Sequence, residues 1–130
     1  MLAEEGLAYF MTHDPVISAL IGDRFEPLVV PQEKARPAIA HQRITTPPER
    51  SHSGRSKPDH PTIQLTIEGS TYAEAKRLAK TITDRLDGFK GMMGSLEVQD
   101  CLVNNIQDGY GQIKQVPVVR MDIELWCVEV

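Results

Sequence analysis

The chain has little cysteine, few aromatic residues and no long hydrophobic run. Its 130 residues include 2 cysteines, and the aromatic residues make up 5%. Cys101 and Cys127 form neither a CxxC motif nor a Cys/His ligand pattern, so we expect two small, buried hydrophobic side chains. No stretch approaches the ~18 apolar residues of a membrane-spanning helix. These absences argue against a disulfide scaffold, a zinc module and a helical membrane protein.

The N-terminus lacks the basic residues of a secretory signal, because Glu4 and Glu5 stand where such a signal carries Lys or Arg. We therefore expect a protein that is made and kept in a cytoplasm. A chain of this length with 41% hydrophobic and 25% charged residues is typical of one soluble domain. We predict that this domain spans residues 1–130.

Catalytic motifs are also missing, since no GxSxG, HExxH, P-loop or GxGxxG pattern occurs. His13 and His41 fall on predicted helix and strand positions, where a structural or solvated histidine is the simpler interpretation. A metal site could be imagined at His52, Asp59 and His60, but their loop has neither the fixed short spacing nor the rigid support that zinc requires. We predict no catalytic, cofactor-binding or metal-binding residue, no cofactor, and no enzymatic activity.

What the sequence does contain is a long polar loop, "TTPPERSHSGRSKPDHPT", whose only apolar residues are prolines. Three cations and two anions give this loop a charge of +1. The rest of the chain carries −5, which makes the net charge −4. Loops of this length are uncommon and are usually functional or disordered. We predict a hairpin loop over 46–61 that is disordered in a monomer and orders on a partner. Its candidate interaction residues are Arg50, His52, Arg55, Lys57, Asp59 and His60.

Three helices are predicted from spacing and capping. Apolar residues at helical spacing indicate a short helix near the N-terminus, and Asp14 followed by Pro15 begins a second one that Gly22 ends. The third lies in "STYAEAKRLAKTITDRLDGFKG". Its predicted buried positions are Tyr72, Ala75, Ala79, Ile82, Leu86 and Phe89.

The strands show period-2 alternation over 38–45, 62–68 and the C-terminal stretch "VPVVRMDIELWCVEV", whose second face is wet or lies at an interface. A fourth strand, "SLEVQDCLVNN", contains a bulge near Asp100, and "NNIQDGYGQ" is typical of a turn. Prolines allow only a short edge segment before Pro37. We predict an α+β domain: a mostly antiparallel sheet of 4-5 strands, the long helix packed on one face, and short N-terminal helices. The long-helix crossover allows one parallel pair.

Several motifs resemble the tail completion, or tail terminator, family of tailed bacteriophages and phage-like gene transfer agents. The residues that carry the resemblance are Leu20, Ile21, Gly22, Arg24, Phe25, Pro27, Leu28 and Val29, then Pro31, Gln32, Pro37, Ala38 and Ile39. Downstream they are Ile63, Gln64 and Leu65, then Tyr72, Ala73, Glu74 and Ala75, and finally Leu86, Asp87 and Gly88. The match runs from about residue 14 to the end.

The resemblance implies a structural protein of the virion, located at the neck of the tail and assembled in the host cytoplasm. It implies a homo-oligomeric ring of six subunits that caps the head-proximal end of the tail tube. Such a ring stops tube polymerisation and joins the tail to the head connector. The implied partners are other copies of the chain, the tail tube protein and the connector or head completion protein, while DNA only passes through the lumen.

Two other interpretations remain open from the sequence. One is a small oligomeric ligand-binding or regulatory α+β module. The other is a nucleic-acid contact protein that uses Arg50, Arg55 and Lys57, which would show steep salt dependence of DNA binding. The acidic body and the lack of aromatic residues beside those cations argue against the latter.

Overall fold

The computed structural model describes residues 1–45, 60–110 and 116–129. The helices are α1 (Ala3–His13), α2 (Pro15–Ile21) and α3 (Tyr72–Leu86). The strands are β1 (Phe25–Pro27), β2 (Ala38–Thr45), β3 (Thr62–Glu68), β4 (Gly91–Met93), β5 (Leu96–Tyr110) and β6 (Pro117–Val128). The predicted α+β class is confirmed. Within these ranges no helix is both long and apolar enough to cross a membrane.

The strands form one six-stranded mixed sheet in the order β1-β2-β3-β6-β5-β4. The prediction of 4-5 strands was wrong because β1 and β4 are three residues each, too short to show an alternating pattern. One parallel pair exists, but it joins β1 to β2 and not the strands flanking α3. The other neighbours are antiparallel, and β2 and β3 pair as a hairpin on either side of the 46–59 segment.

Strand β5 is longer than the sequence indicated. The predicted turn over "NNIQDGYGQ" was wrong for residues up to Tyr110, which pair with β6. That pairing supplies the backbone hydrogen bonds that a local turn would otherwise provide, so tertiary contacts override the turn composition. Asn105 has a φ of 52° at an irregularity between Asn104 and Gln107, a conformation that asparagine tolerates. The predicted bulge near Asp100 is confirmed by a register shift between Val98 and Asp100.

All three helices cover one face of the sheet, and the main core lies between them. Alternate residues of β3 and β6 project into it, and both cysteines are buried there as predicted. The fully buried side chains include Leu7, Ile17, Ile39, Leu65, Ile67, Leu78, Ile82 and Met121. Tyr72 was predicted to be buried, but it is the first residue of α3 and is exposed.

Two ion-pair networks attach the helices to one another and to the sheet. The Asp14 carboxylate caps α2 by accepting from the N–H groups of Val16 and Ile17, and Arg85 of α3 donates to its other oxygen at 2.6 Å. Burial alone would raise the pKa of Asp14, but these hydrogen bonds and the Arg85 charge outweigh it and lower the pKa. At the other end of α1, Arg43 of β2 donates to both Glu4 and Glu129.

Candidate assembly surfaces

The face of the sheet opposite the helices is largely uncovered, and we call it the bare face. On β6 it presents Arg120, Asp122, Glu124 and Trp126, which alternate with buried core residues. The neighbouring strands continue it with polar side chains. Asp122 of β6 pairs with Gln64 of β3 on one side and with Asn104 of β5 on the other. The predicted wet second face of the last strand therefore belongs to a polar surface that extends across several strands.

Hydrogen bonds between strands hold the carboxylates of the bare face in place. Asn104 Nδ2 donates to Glu124 Oε2 at 3.1 Å, and Asn105 Nδ2 donates to Asp122 Oδ2 at 3.0 Å. Both are charge-assisted hydrogen bonds, and they keep the carboxylates on the surface without neutralising their charge. The central part of this face is therefore polar and predominantly acidic.

One corner of the bare face is covered by the segment that follows β1, residues 28–37, which we call the β1–β2 loop. Val30 is buried against Ala38 and Ala40 as a small second core. Arg36 donates to Glu68 of β3 at 2.7 Å, and their side chains are only 5% and 9% exposed. Arg36 also donates to the Pro31 and Lys34 carbonyls, so one guanidinium attaches the loop to the sheet and to itself.

The same loop holds a leucine in an unusual conformation. Leu28 has a φ of 68°, and the Val29 N–H donates to the Pro27 carbonyl at 2.7 Å, closing a γ-turn of the rare, strained kind around it. The Leu28 N–H is held by the His41 carbonyl at 2.8 Å. In spite of this anchoring, 68% of Leu28 and 38% of Val29 are exposed. The fold thus fixes two partly exposed apolar side chains at a sheet edge, where they also line a cavity with Ala40 and Gln42 of the bare face.

The outer edge of β1 is poorly suited to pairing with another strand. The Phe25 N–H donates to the Asp23 carbonyl, Pro27 has no N–H, and its carbonyl accepts from Val29. These groups would otherwise be available to a neighbouring chain. A partner that meets this edge is therefore expected to contact side chains, with Leu28 and Val29 the most prominent.

Two opposite ends of the sheet carry different surface groups. At the end from which the 46–59 segment leaves, which we call the arm end, the His60 ring stacks on Trp126 with centroids 3.9 Å apart. The His60 Nε2 atom is buried and has no hydrogen-bond partner among the described residues. Of the six predicted interaction residues, only His60 is described; Arg50, His52, Arg55, Lys57 and Asp59 lie outside the described residues.

At the other end, next to residues 111–115, two exposed tyrosines flank an acidic side chain. Tyr72 Oη donates to Asp108 at 2.7 Å and Lys76 Nζ donates to its second oxygen at 3.1 Å. These hydrogen bonds, with the Lys76 charge, lower the pKa of Asp108. Tyr110 is 71% exposed, and its carbonyl accepts from Arg120, which lies across Gly109. We call this surface the tyrosine end.

Sequence reasoning identified the polar loop and the wet strand face but not the exposed Leu28 or the tyrosine end. "PLVVP" looks like a buried apolar run, and only the tertiary contacts reveal that Leu28 points outwards. The prolines on either side of it were the available signal, since they restrict backbone pairing. Among the described residues, no three His, Cys, Asp or Glu side chains are grouped so that they could hold a metal ion.

Comparison with known proteins gives a consistent answer. No curated protein sequence matches the chain. A solved structure described as "Virion of native gene transfer agent (GTA) particle" contains a chain with a similar fold, at a TM-score of 0.62 and 16% identity, covering 94% of this chain and 92% of that one. The family model described as "Tail completion protein gp17" matches residues 7–127. The chain therefore belongs to the tail completion protein gp17 family and is a phage-like structural tail protein.

Proposed function

We propose that six copies of the chain form a ring that caps the head-proximal end of the tail tube, ends its polymerisation and joins the tail to the head connector. Family membership over residues 7–127 is the observation that carries this proposal. In this role the protein is a non-enzymatic component of the neck of the particle, made in the host cytoplasm, and it needs no cofactor. The tail tube protein and the connector or head completion protein are its partners.

The two edges of the sheet support a closed ring. One edge carries β1 and the exposed Leu28, and the other carries β4 and the outer side of β5. Contacts between unlike surfaces are heterologous, and such contacts close into a ring when the rotation between subunits allows it. A chain with two different edges is suited to that arrangement.

The bare face supports a role as the lumen wall. Asp122 and Glu124 are fixed on this face by asparagines of β5, and six copies of a chain of charge −4 carry about −24 in total. An acidic wall repels the phosphates of DNA and lets it pass without sticking. With the bare face towards the lumen, the arm end and the tyrosine end would point in opposite directions along the ring axis, one towards the tube and one towards the connector.

The test uses the full chain with purified tail tube protein. We expect native mass spectrometry and negative-stain images to show rings bound at one end of each tube, and tube length to become limited as the chain is added. A folded monomeric protein of similar size and charge serves as the control. The proposal fails if the chain stays monomeric in the presence of tubes and neither binds their ends nor limits their length.

A further inference from the structure

We propose that Leu28 and Val29 of one copy dock into a groove between α3 and β5 of the next copy and so form the subunit contact of the ring. This inference rests on the proposed ring and adds to it the residues that meet. It starts from Leu28, which combines a strained backbone with high exposure.

Leu28 is held at positive φ although the monomer leaves most of its side chain exposed. A leucine in the left-handed region is disfavoured relative to its ordinary conformation. The surroundings impose this conformation, through the His41 carbonyl, the γ-turn to Pro27 and the buried Arg36–Glu68 pair. Residues in such conformations are concentrated at functional positions, where a fixed geometry matters more than local stability. The geometry that is fixed here is the display of two apolar side chains.

The receiving groove lies near the opposite edge of the same sheet. It is lined by Ala79 and Thr83 of α3 and Ile106 of β5, together with the charged side chains of Lys76, Lys80 and Asp84. Ile106 is 47% exposed, and it follows Asn105, whose left-handed conformation belongs to the β5 irregularity. Within the described residues, β4 pairs only with Leu96 to Val98, so the side of β5 next to the groove is not covered by a strand.

A second copy is the occupant that these features favour. An exposed apolar pair at one edge and a groove near the other whose lining includes Ala79 and Ile106 let each copy give one contact and receive one. The β1 edge cannot pair well through its backbone, so side-chain insertion is the contact available to it. The charges agree with an apolar insert, because the two lysines that line the groove are already paired, Lys76 with Asp108 and Lys80 with Asp84.

Cysteine cross-linking tests the contact directly. We expect the double variant L28C/I106C, assembled on tubes and mildly oxidised, to give a disulfide ladder from dimers up to the complete ring on denaturing gels. Mixing the single variants L28C and I106C should give dimers only, and neither single variant should cross-link alone. The native thiols provide a low background, because Cys127 is buried and burial raises the pKa of Cys101 to about 12.

A second variant measures the contribution of the leucine. L28N keeps a residue that tolerates positive φ and removes the apolar side chain, so we expect a folded subunit whose ring association is weakened about tenfold or more. V16N is the matched control, because Val16 is an exposed apolar residue of α2 that lines neither the groove nor the β1–β2 loop. It should assemble like the unmodified chain.

The outcomes separate this inference from the proposed function. Rings that form without disulfides in L28C/I106C, or self-cross-linking of L28C alone, would overturn the Leu28 contact and leave the ring intact. L28N assembling as well as V16N would do the same. If the unmodified chain forms no ring and does not cap tubes, both proposals fall.

Discussion

Leu65 and Gln64 are neighbours on β3, yet their side chains lie in opposite environments. Leu65 is fully buried beneath the helices, whereas Gln64 lies on the bare face beside Asp122 of β6. The same division continues along β6, where every second residue is buried. The helix-covered face therefore supplies the hydrophobic stability of the fold, and the bare face and the loops around it are left to make contacts with other molecules.

The largest expected difference between the two faces is in stability. L65A removes a buried side chain and leaves a cavity, so the free energy of unfolding should fall by about 2–5 kcal/mol. Q64A, one residue away on the bare face, should change it by less than about 0.5 kcal/mol. Urea denaturation of both variants measures this difference. Similar losses would mean that the bare face contributes to the core as much as the helical face.

The period-2 and helical patterns explain why much of the fold could be predicted. β3 and β6 bury alternate residues along their length, and α3 buries residues at helical spacing over several turns. The positions of these three elements agree with those predicted from the sequence. β4 escaped prediction and β1 was expected only as a short edge segment, because three residues form no pattern and their pairing is decided by distant strands. Leu28 escaped for a similar reason: its φ is set by His41 and the Arg36–Glu68 pair, which are brought to it only by folding.

The buried Arg36–Glu68 ion pair at the bare face should be the next most sensitive position. E68A leaves the Arg36 guanidinium buried without its partner, and we expect a loss of about 3 kcal/mol in the free energy of unfolding. D84A breaks the exposed Lys80–Asp84 pair and should cost less than about 0.5 kcal/mol. Hydrogen exchange adds a local readout, because the Leu28 and Val29 amides should exchange faster in E68A. Equal stability of the two variants would show that the pair does not hold the β1–β2 loop.

Acid should weaken the helical side of the molecule. Burial on its own would raise the pKa of Glu129, but hydrogen bonds from Arg43 and the Ala3 N–H, with the nearby positive charges, lower this pKa. The pKa of Asp14 is lowered in the same way, by Arg85 and by the N–H groups at the start of α2. A carboxyl with a depressed folded pKa stabilises the fold above its unfolded pKa, and this contribution is lost as pH falls through the folded pKa. Stability should therefore fall steeply below about pH 4.

Urea titrations between pH 7 and pH 3 measure this dependence. In D14N the cap is retained as a neutral acceptor, so the variant should be less stable at pH 7 and lose less on acidification than the unmodified chain. D84N, at an exposed pair, is the control and should keep the original pH dependence. If the free energy of unfolding of D14N falls with pH as steeply as that of the unmodified chain, Asp14 does not cause the acid sensitivity.

A small effect on stability, with a large effect on assembly, is expected for deletion within the 46–59 segment. Deleting Pro48 to Lys57 shortens the link between β2 and β3, and because loop-closure entropy depends weakly on length, stability should change by less than about 1 kcal/mol. Ring formation and tube capping should nevertheless be impaired, because the segment carries Arg50, Arg55 and Lys57. A deletion variant that caps tubes normally would reduce the segment to a linker.

A charge-neutralised variant separates the cations of this segment from its length. R50S/R55S/K57S should weaken capping and make it less sensitive to salt, since screening acts on contacts between exposed charges. R77S/K90S is the matched control for the double variant R50S/R55S, because it removes the same number of cations from described surfaces outside the proposed subunit contact. If both double variants weaken capping equally, net charge alone is responsible and the position of the cations on the segment does not matter. If only R50S/R55S does, the segment binds an acidic surface of a neighbour, the tube or the connector, and the bare face with Asp122 and Glu124 is one described surface of that charge.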